Sequence, residues 1–461
     1  MIGDSARVAQ HVAHTRYEDL SAQAVAGVKT FLLDTMGVGI AGSCGARVAD
    51  LAVLARTWGD APEATVWLTG QKMSAQSAAM VNAYQIHCLE FDCVHEGAVL
   101  HPMATILSAV FAWAERESGR GRRVSGRDLI TAIAVGVDVS TMLGMVTAAP
   151  IRFFRPATAG GFGAAAAIAR LSGFDERGVL DTLGAQYSQA SGTLQPHVEG
   201  SPMLGLQVGF NARAAIVSAD LAKAGFRGPH DIFTGQYGYL VLFEQDNHHL
   251  PPFLETLGQT WQITAMSHKP YPSGRLTHGA VDGLGRLMRA YGFTAADVAG
   301  VTARVPPLVH RLVGRPDIPE PESNYAKLCL RFVAATFLAR GNVDVPDFRG
   351  EALTDPEVHR LAALVDVELD GNPDENALDP QTISVRLKSG TVHSVHLPHV
   401  HGHPDVPLSE AENEAKFRRC LGYAAQDVPS ESAERMIAAI RELEDLVDIA
   451  SLVPLTLGGP R

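Results

Sequence analysis

The sequence predicts a mainly α-helical protein whose second part also contains β-strands. Three observations support this fold class. The chain has 461 residues, which is too many for one compact core and indicates two domains. Its first part consists of alanine-rich apolar segments with helical period, which is typical of close-packed helices. After about Trp261 apolar residues alternate with polar ones in short runs, as they do in strands.

The first part is predicted to be a succession of helices. The helix over residues 22–40 carries an apolar stripe that Asp34 interrupts, and its glycines allow another helix to approach closely. Ser125 or Asp128 is expected to cap a long helix. Arg155 precedes a helix that is expected to start at about Thr158. The predicted helices begin near residues 5, 22, 48, 78, 102, 125, 158 and 202.

The second part is predicted to mix strands and helices. Strands are indicated around residues 301–305, 383–387 and 392–397, the last two joined by a turn into a hairpin, and helices around 276–291 and 325–340. From Ser409 charged helical periodicity resumes, so this end is expected to pack back on the first domain. We therefore predict a helical domain over residues 1–255, completed by residues 405–461, and an α+β domain over residues 256–404.

Composition and charge exclude several classes of function. The net charge is −12 and no run of Lys and Arg occurs, which argues against a nucleic-acid surface but not against a local pocket for an anion. The five cysteines lack a disulfide or zinc spacing, so we expect reduced thiols in a cytoplasmic protein. Residues 129–151 are the most membrane-like run, but Asp138 within them favours a buried core helix, and no membrane partner is expected.

The most informative stretch is residues 82–102, NAYQIHCLEFDCVHEGAVLHP. Its histidines and acids crowd together between apolar segments, and buried ionisable groups are costly unless they are paired. Pro102 fits the first turn of a helix, which places His101 at a helix N-terminus, where anions are favoured. We expect Asp92 and His101 to face each other across a loop and to form a site that binds an anion and moves protons. The alternative is a hydrogen-bonded core network without function.

A second group of histidines lies near the end of the second part. As metal ligands these residues lack a settled spacing, and no acid is placed among them, so surface positions are preferred and no metal site is expected. They are His393, His396, His399, His401 and His403.

Six segments, taken in order, resemble the MmgE/PrpD superfamily of 2-methylcitrate dehydratases, which also includes cis-aconitate decarboxylases and iminodisuccinate epimerases. No single segment is decisive, but the ordered set spans nearly the whole chain. The segments are FLLDTMGVGIAG (31–42), NAYQIHCLEFDCVHEGAVLHP (82–102), FRPATAGGFGAAAAIARL (154–171), AGFRGPHDIF (224–233), HKPYPSGRLTH (268–278) and PLSEAENEAKF (407–417).

The resemblance implies a cofactor-free enzyme that acts on a small di- or tricarboxylate. It also implies a large all-helical domain, a smaller α+β domain that serves as a lid, an active site between them and a homodimer. The reaction would remove a proton next to a carboxylate and continue with loss of water, loss of CO₂ or reprotonation. A dehydratase or decarboxylase is the first hypothesis, an epimerase or isomerase the second, and a non-catalytic binder that kept the fold the third.

Some residues of this chain match the superfamily's motifs. Asp92 matches an acid of a D-F-D-D segment, in which Glu90 and Cys93 replace the first and last aspartates. His101 and Pro102 match an H-P pair. The resemblance implies that the catalytic residues are His101, Asp92, Lys269 and His95. We expect the substrate-binding residues to be Arg155, Gln207, Tyr271, Arg275 and His278.

Other motif positions depart from the superfamily. Arg155 stands where the catalytic histidine of a G-W-H-P motif is expected, and a guanidinium stays protonated and is a clamp, not a base. In a K-P-L-H-A-G motif Leu204 replaces the lysine and Gln207 the histidine, and Phe332 replaces a tyrosine. An aliphatic side chain cannot bind a carboxylate or transfer a proton, so a substrate other than 2-methylcitrate is indicated.

Overall fold

The computed structural model describes residues 3–59 and 61–459 of the chain. The helices are α1 (Asp4–His14), α2 (Ala22–Gly42), α3 (Val48–Arg56), α4 (Ala75–His87), α5 (Pro102–Gly119), α6 (Gly126–Met145), α7 (Arg155–Ser172), α8 (Glu176–Tyr187), α9 (Gln195–Glu199), α10 (Met203–Lys223), α11 (Tyr239–Leu242), α12 (Pro251–Thr256), α13 (His278–Tyr291), α14 (Pro307–Val313), α15 (Ser323–Lys327), α16 (Leu330–Arg340), α17 (Pro356–Ala362), α18 (Glu410–Leu421) and α19 (Ser430–Arg441). The strands are β1 (Ala64–Thr65), β2 (Lys72–Met73), β3 (Val94–His95), β4 (Met266–Ser267), β5 (Val298–Val305), β6 (Val365–Leu369), β7 (Gln381–Leu387) and β8 (Val392–Leu397).

The larger hydrophobic core is formed by helices that pack at short distances. Helices α4, α5, α6, α7 and α10 contact one another at its centre. Small residues make this possible: a Cβ atom added at Gly163 on α7 would lie 2.5 Å from the carbonyl oxygen of Gly136 on α6. The same holds for α2, where a Cβ at Gly42 would lie 1.7 Å from the Gln85 carbonyl oxygen on α4. The prediction that the glycines of α2 allow close approach is confirmed.

The second core surrounds a four-stranded sheet. Its strand order is β6-β5-β7-β8, with β5 and β6 parallel and the other pairs antiparallel, so the predicted hairpin is present as β7 and β8. Val301, Ala303 and Val305 alternate inward along β5 and are buried. Helices α13 and α16 cover this inner face and share the core with it. The mainly α fold with a smaller α+β part is confirmed, whereas the domain boundaries at 255/256 and 404/405 stay a prediction.

Helix α18, which follows the four-stranded sheet in the chain, packs on α2 in the larger core. Phe417 is buried against Gly37, and Lys416 Nζ forms an ion pair with the Asp34 carboxylate at 2.6 Å. Lys416 also donates to the carbonyl oxygen of Phe91 at 2.9 Å. The aspartate that interrupts the apolar stripe of α2 is therefore the buried partner of a lysine on α18.

Two local expectations differ from the structure. Helix α7 begins at Arg155 and not near Thr158, because Pro156 suits the first turn, where a missing N–H has no consequence. The segment between α4 and α5 is not wholly a loop, because Val94 and His95 form β3 and pair antiparallel with β4. This two-residue ribbon joins the segment that carries Asp92 to the segment that carries Lys269.

Two helices, α2 and α6, are long and apolar enough to cross a membrane by length and composition alone. Most residues of both are buried in the protein, and Asp138 on α6 is fully buried. His11 lies 3.1 Å from the Asp138 carboxylate, so the charge that interrupts the apolar run has a partner from α1. Burial among other helices accounts for the composition of both.

The close contact between α2 and α4 yields a prediction about stability. Gly42→Ala should lower the free energy of unfolding by about 1–3 kcal/mol or more, because its methyl group meets a backbone oxygen that cannot rotate away. Gly119→Ala is the matched control, since a Cβ there meets nothing within 4 Å and the helix should tolerate alanine well. Chemical denaturation measures both. Equal stabilities would contradict the packing described here.

Candidate functional site

A cavity of about 660 Å³, mouth included, lies between residues of the helical core and residues from the second part of the chain. Glu90 and His101 line one portion of it, and they come from the connection between α4 and α5. His197 lines it from α9. Most other lining residues are apolar, namely Val94, Val99, Ile151, Leu194, Leu204 and Leu276, together with Leu312, Val313, Leu328 and Leu378. The cavity therefore combines a small ionisable cluster with an apolar wall.

Asp92 is the centre of the ionisable cluster. It is fully buried, and one carboxylate oxygen lies 2.9 Å from His87 Nδ1 and 3.5 Å from His101 Nδ1. Burial alone would raise the pKa of Asp92, but the two imidazoles outweigh it and hold this pKa well below its usual range. Asp92 is a carboxylate at neutral pH, and the expected meeting of Asp92 and His101 is observed.

The two histidines beside Asp92 differ in charge preference. Burial would lower the pKa of His87, but Asp92 and Glu90 reverse the effect and leave this pKa above its ordinary value. Burial lowers the pKa of His101 to about 4, with Lys269 adding to the effect and Asp92 opposing it. His87 thus favours the imidazolium and His101 the neutral imidazole.

The hydrogen bonds of His101 fix its tautomer. Nδ1 lies 2.9 Å from the Cys93 carbonyl oxygen and also faces Asp92, and both of these atoms only accept. Nδ1 therefore carries the proton, and Nε2 holds a lone pair. Among the residues that the structure describes, Nε2 has no hydrogen-bond partner. His101, at the N-terminus of α5 before Pro102, presents a base to the cavity.

Lys269 and Glu90 form a buried ion pair next to this cluster. Lys269 Nζ donates to the Glu90 carboxylate at 2.9 Å and to the Glu90 carbonyl oxygen at 3.3 Å. Burial would raise the pKa of Glu90, but Lys269, followed by His87, lowers it to about 2. Glu90 has φ +53°, a left-handed conformation that non-glycine residues rarely adopt and that is held where neighbours impose it. The ribbon of β3 and β4 brings the two residues together.

His95, Arg155 and Arg275 were predicted to act on the substrate, and the structure gives each of them protein partners. His95 Nδ1 accepts from the Ala98 N–H, and Nε2 faces Gln262 at 3.2 Å. The roles of these three residues at a substrate stay a prediction.

The two arginines line the cavity, but they use their guanidinium groups to fasten loops. Arg155 binds the Glu244 carboxylate through two nitrogens at 2.9 and 3.0 Å and also donates to the carbonyl oxygens of Ala98 and Gly144. Arg275 binds Glu96 at 2.8 Å. It also donates to the carbonyl oxygens of His268, Val400 and His401.

The remaining predicted binding residues are not among those that line the cavity. Gln207 makes two hydrogen bonds to the backbone of Thr193, at 2.7 and 3.1 Å. Tyr271 and His278 contact each other edge to face at 5.3 Å, and His278 Nε2 donates to the Ser273 carbonyl oxygen at 3.2 Å. These three side chains shape the loops around the cavity.

Sequence reasoning assigned no role in the site to four contributors, His87, Glu90, His197 and Arg315. His87 and Glu90 were noticed as members of the polar cluster, but the spacing alone could not show which acid pairs with which base. His197 lay in a stretch read as a polar loop, and Arg315 behind it had no signal in the sequence. Two residues that differ from the superfamily's motifs lie in different places. Leu204 lines the cavity, whereas Phe332 is buried in the second core against Phe348.

Among the residues that the structure describes, two groups of side chains could hold a metal ion. The ligand atoms of His87, Asp92 and His101 lie within 4.8 Å of one another. Lys269 contributes a positive charge there, which opposes a second cation. The other group is Asp379 with His399 and His403, whose two rings stack with centroids 4.0 Å apart. An acid thus joins the histidines near the end of the second part, contrary to the sequence-based expectation.

Comparisons with known proteins give consistent matches along the chain. The model of the MmgE/PrpD N-terminal domain matches residues 6–250, and the model of the MmgE/PrpD C-terminal domain matches residues 271–445. Cis-aconitate decarboxylase of Homo sapiens is 27% identical over 93% of this chain and 89% of its own length. The cis-aconitate decarboxylase-like protein oryM of Aspergillus oryzae is 27% identical over 98% of this chain and 97% of its own length. Cis-aconitate decarboxylase of Aspergillus terreus is 30% identical over 48% of this chain and 47% of its own length.

The pair of Arg155 and Glu244 yields a prediction that distinguishes two roles of Arg155, stabilising the folded protein and binding the substrate. Arg155→Met should lower the free energy of unfolding by about 3–5 kcal/mol, because it leaves Glu244 buried without a countercharge. The double variant Arg155→Met/Glu244→Gln should recover most of that loss. Denaturant unfolding of both, with substrate titration of the double variant, is the measurement. A stable double variant that no longer binds any substrate would instead assign Arg155 to the ligand.

Proposed function

Because this chain belongs to the MmgE/PrpD family, we propose that it is a lyase that removes a proton next to a carboxylate of a small organic acid and then expels water or CO₂. The names of its relatives support a lyase of this kind. The observation that carries the proposal is His101, which burial holds neutral and whose Nε2, at the wall of the cavity, has no hydrogen-bond partner among residues 3–59 and 61–459. We propose that the reaction needs no cofactor.

In the proposed reaction His101 Nε2 takes the proton. The C–H bond breaks, and its electron pair enters the adjacent carboxylate, which becomes an enediolate with an additional negative charge. The electron pair then returns and expels hydroxide from the neighbouring carbon, which departs as water once it is protonated. Loss of CO₂ would take another course: His101 returns the proton to the substrate, the C–C bond to the carboxylate breaks with its electron pair staying on carbon, and a proton from solvent takes up that pair. The Lys269 ammonium next to Glu90 favours the charge that develops on the carboxylate, because the surroundings exclude water.

Asp92 and His87 support the base. The Asp92 carboxylate lies 3.5 Å from His101 Nδ1, so its negative charge favours the imidazolium that forms when Nε2 takes a proton. His87 donates to the same carboxylate at 2.9 Å and keeps it charged. Asp92 therefore acts through His101 in this proposal, and Lys269 acts on the substrate.

An epimerase is the second candidate, and one observation favours it. Leu204 occupies the wall where the family has a lysine, so a protonatable group that could assist a leaving group is missing there. Reprotonation of the enediolate would then compete with expulsion. A homodimer and a cytoplasmic location remain predictions from the family resemblance and the cysteine usage.

Substitution of His101 tests whether this residue is the base. His101→Ala should reduce turnover of the preferred organic acid by at least about 10²-fold, because no other group replaces the proton acceptor. His14→Ala is the control, since His14 is exposed and pairs with Glu176 on the surface. Rates of substrate loss, together with circular dichroism of each variant, decide the result. Turnover near that of the unaltered protein would remove His101 from the mechanism.

A second prediction concerns pH. The base form of His101 persists until the pH falls to its pKa, which burial lowers to about 4 from an ordinary value of 6.5. The acid limb of kcat/KM should therefore lie well below pH 6.5, and the rate should fall as the pH drops towards 4. A full pH profile measures this. A limb at or above 6.5 would point to another base.

Deuterated water separates the lyase from the epimerase. A lyase should give a product with a new double bond, which ultraviolet absorbance detects. An epimerase should return the same acid with deuterium at the carbon next to the carboxylate and with inverted configuration. Label uptake without a new double bond would contradict the lyase.

A further inference from the structure

The cations around the cavity are mostly neutralised by protein acids. Lys269 pairs with Glu90, and Arg155 pairs with Glu244. Arg275 likewise pairs with Glu96. An incoming carboxylate would have to displace one of these buried acids from its partner, which is unfavourable in a site that excludes water.

Arg315 is different. Among the described residues, no carboxylate lies within ion-pair distance of its guanidinium. Nη2 donates to His197 Nδ1 at 2.8 Å and to the Leu312 carbonyl oxygen at 3.1 Å, and the group stacks over the Tyr325 ring at 4.8 Å. Its Nη1 atom is buried without a hydrogen-bond partner. Arg315 therefore leaves a positive charge uncompensated directly behind the cavity wall.

This contact fixes the state of His197. A guanidinium can only donate, so His197 Nδ1 accepts and its single proton sits on Nε2. Burial, and then Arg315, lower the pKa of His197 to about 4, so the ring stays neutral. His197 lines the cavity, and Nε2 has no hydrogen-bond partner within the described part of the chain. The ring thus offers an N–H that the charge behind it polarises.

His197 is a donor of hydrogen bonds and not of protons. Loss of its one proton would leave an imidazolate, which is too basic to form readily at neutral pH. An N–H backed by a guanidinium is instead suited to bind a carboxylate oxygen. His197 lies in the short helix α9, which has Pro196 in its first turn and ends at Gly200 in the left-handed conformation. Both ends of the helix therefore constrain the backbone that carries the ring.

Leu204 and its neighbours limit what else can bind. Leu194, Leu204 and Leu312 line the cavity together with Phe154, and none of them can pair with a charge. A carboxylate placed against this wall would lose its hydration without compensation. A hydrocarbon group would gain from the same contact.

We propose that the cavity binds a dicarboxylate that carries an alkyl chain, with one carboxylate on His197 backed by Arg315 and the chain against the leucine wall. The carboxylate next to the reacting carbon lies beside His101, which removes the proton, and it feels the charge of Lys269 without displacing Glu90 from that lysine. This inference rests on the proposed function and names its substrate class. A tricarboxylate such as cis-aconitate fits less well, since its third carboxylate would face Leu204.

Calorimetry with three non-reactive probes tests the substrate class on the intact protein. The probes are succinate, 2-butylsuccinate and propane-1,2,3-tricarboxylate. Each buried methylene should tighten binding by about threefold, so 2-butylsuccinate should bind most tightly. Tighter binding of the tricarboxylate, or equal binding of succinate and 2-butylsuccinate, would overturn the assignment.

Variants test the two residues. Arg315→Met and His197→Phe should each weaken 2-butylsuccinate binding by about tenfold or more and raise KM more than they lower kcat. His197→Gln, which keeps an N–H donor, should restore part of the affinity. Arg311→Met is the matched control, because Arg311 lies on the same chain segment and contacts Glu375 near the surface. Leu204→Lys should raise affinity for the tricarboxylate.

The outcomes separate this inference from the proposed function. If His101→Ala abolishes turnover but the Arg315 and His197 variants bind 2-butylsuccinate as the unaltered protein does, the lyase stands and the inference is wrong. If the unaltered protein neither binds nor converts any carboxylate, the proposed function is wrong, and the inference that rests on it is wrong with it. Circular dichroism identifies an Arg315 or His197 variant that does not fold. In that case the affinity of Leu204→Lys for the tricarboxylate decides the substrate class.

Discussion

The buried ion pair of Lys269 and Glu90 is the interaction on which the site depends. Its atoms lie 2.9 Å apart, and both side chains are almost fully removed from water. Such a pair is favourable only when geometry and extra hydrogen bonds offset the loss of hydration, and here Lys269 also binds the Glu90 carbonyl oxygen. The two residues are 179 positions apart in the sequence. The ribbon of β3 and β4 holds them together and thereby fixes the segment that leads to Asp92 and His101.

The fold could be predicted largely from patterns, whereas the site could be predicted only in part. Helical period, cap residues and strand alternation are local, and they located most helices and the hairpin of β7 and β8. The meeting of Asp92 and His101 followed from a helix start at Pro102, which is also a local signal. Arg155 and Arg275 could not be assigned in this way, because their partners Glu244 and Glu96 lie 89 and 179 positions away. Sequence shows a cation but not whether an acid already neutralises it.

His101 and His197 show why a histidine cannot be assigned from its presence alone. Burial is the main cause that lowers the pKa of each to about 4, so both are neutral. The group that contacts Nδ1 of each ring gives the two Nε2 atoms opposite hydrogen-bonding roles. The Cys93 carbonyl accepts from His101 and leaves its far nitrogen as an acceptor, whereas Arg315 donates to His197 and leaves its far nitrogen as a donor. The cavity thus contains a hydrogen-bond acceptor and a hydrogen-bond donor, and a histidine supplies each of them.

The contacts of Lys416 have a consequence for synthesis of the protein. This lysine of α18 holds both Asp34 of α2 and the backbone carbonyl of Phe91, which directly precedes Asp92. During translation Asp34 and Asp92 leave the ribosome more than three hundred residues before Lys416 does. Until then the acid of α2 lacks its countercharge, so the nascent chain cannot complete this part of its interior. The segment that leads into Asp92 should therefore acquire its final form only after α18 has been synthesised.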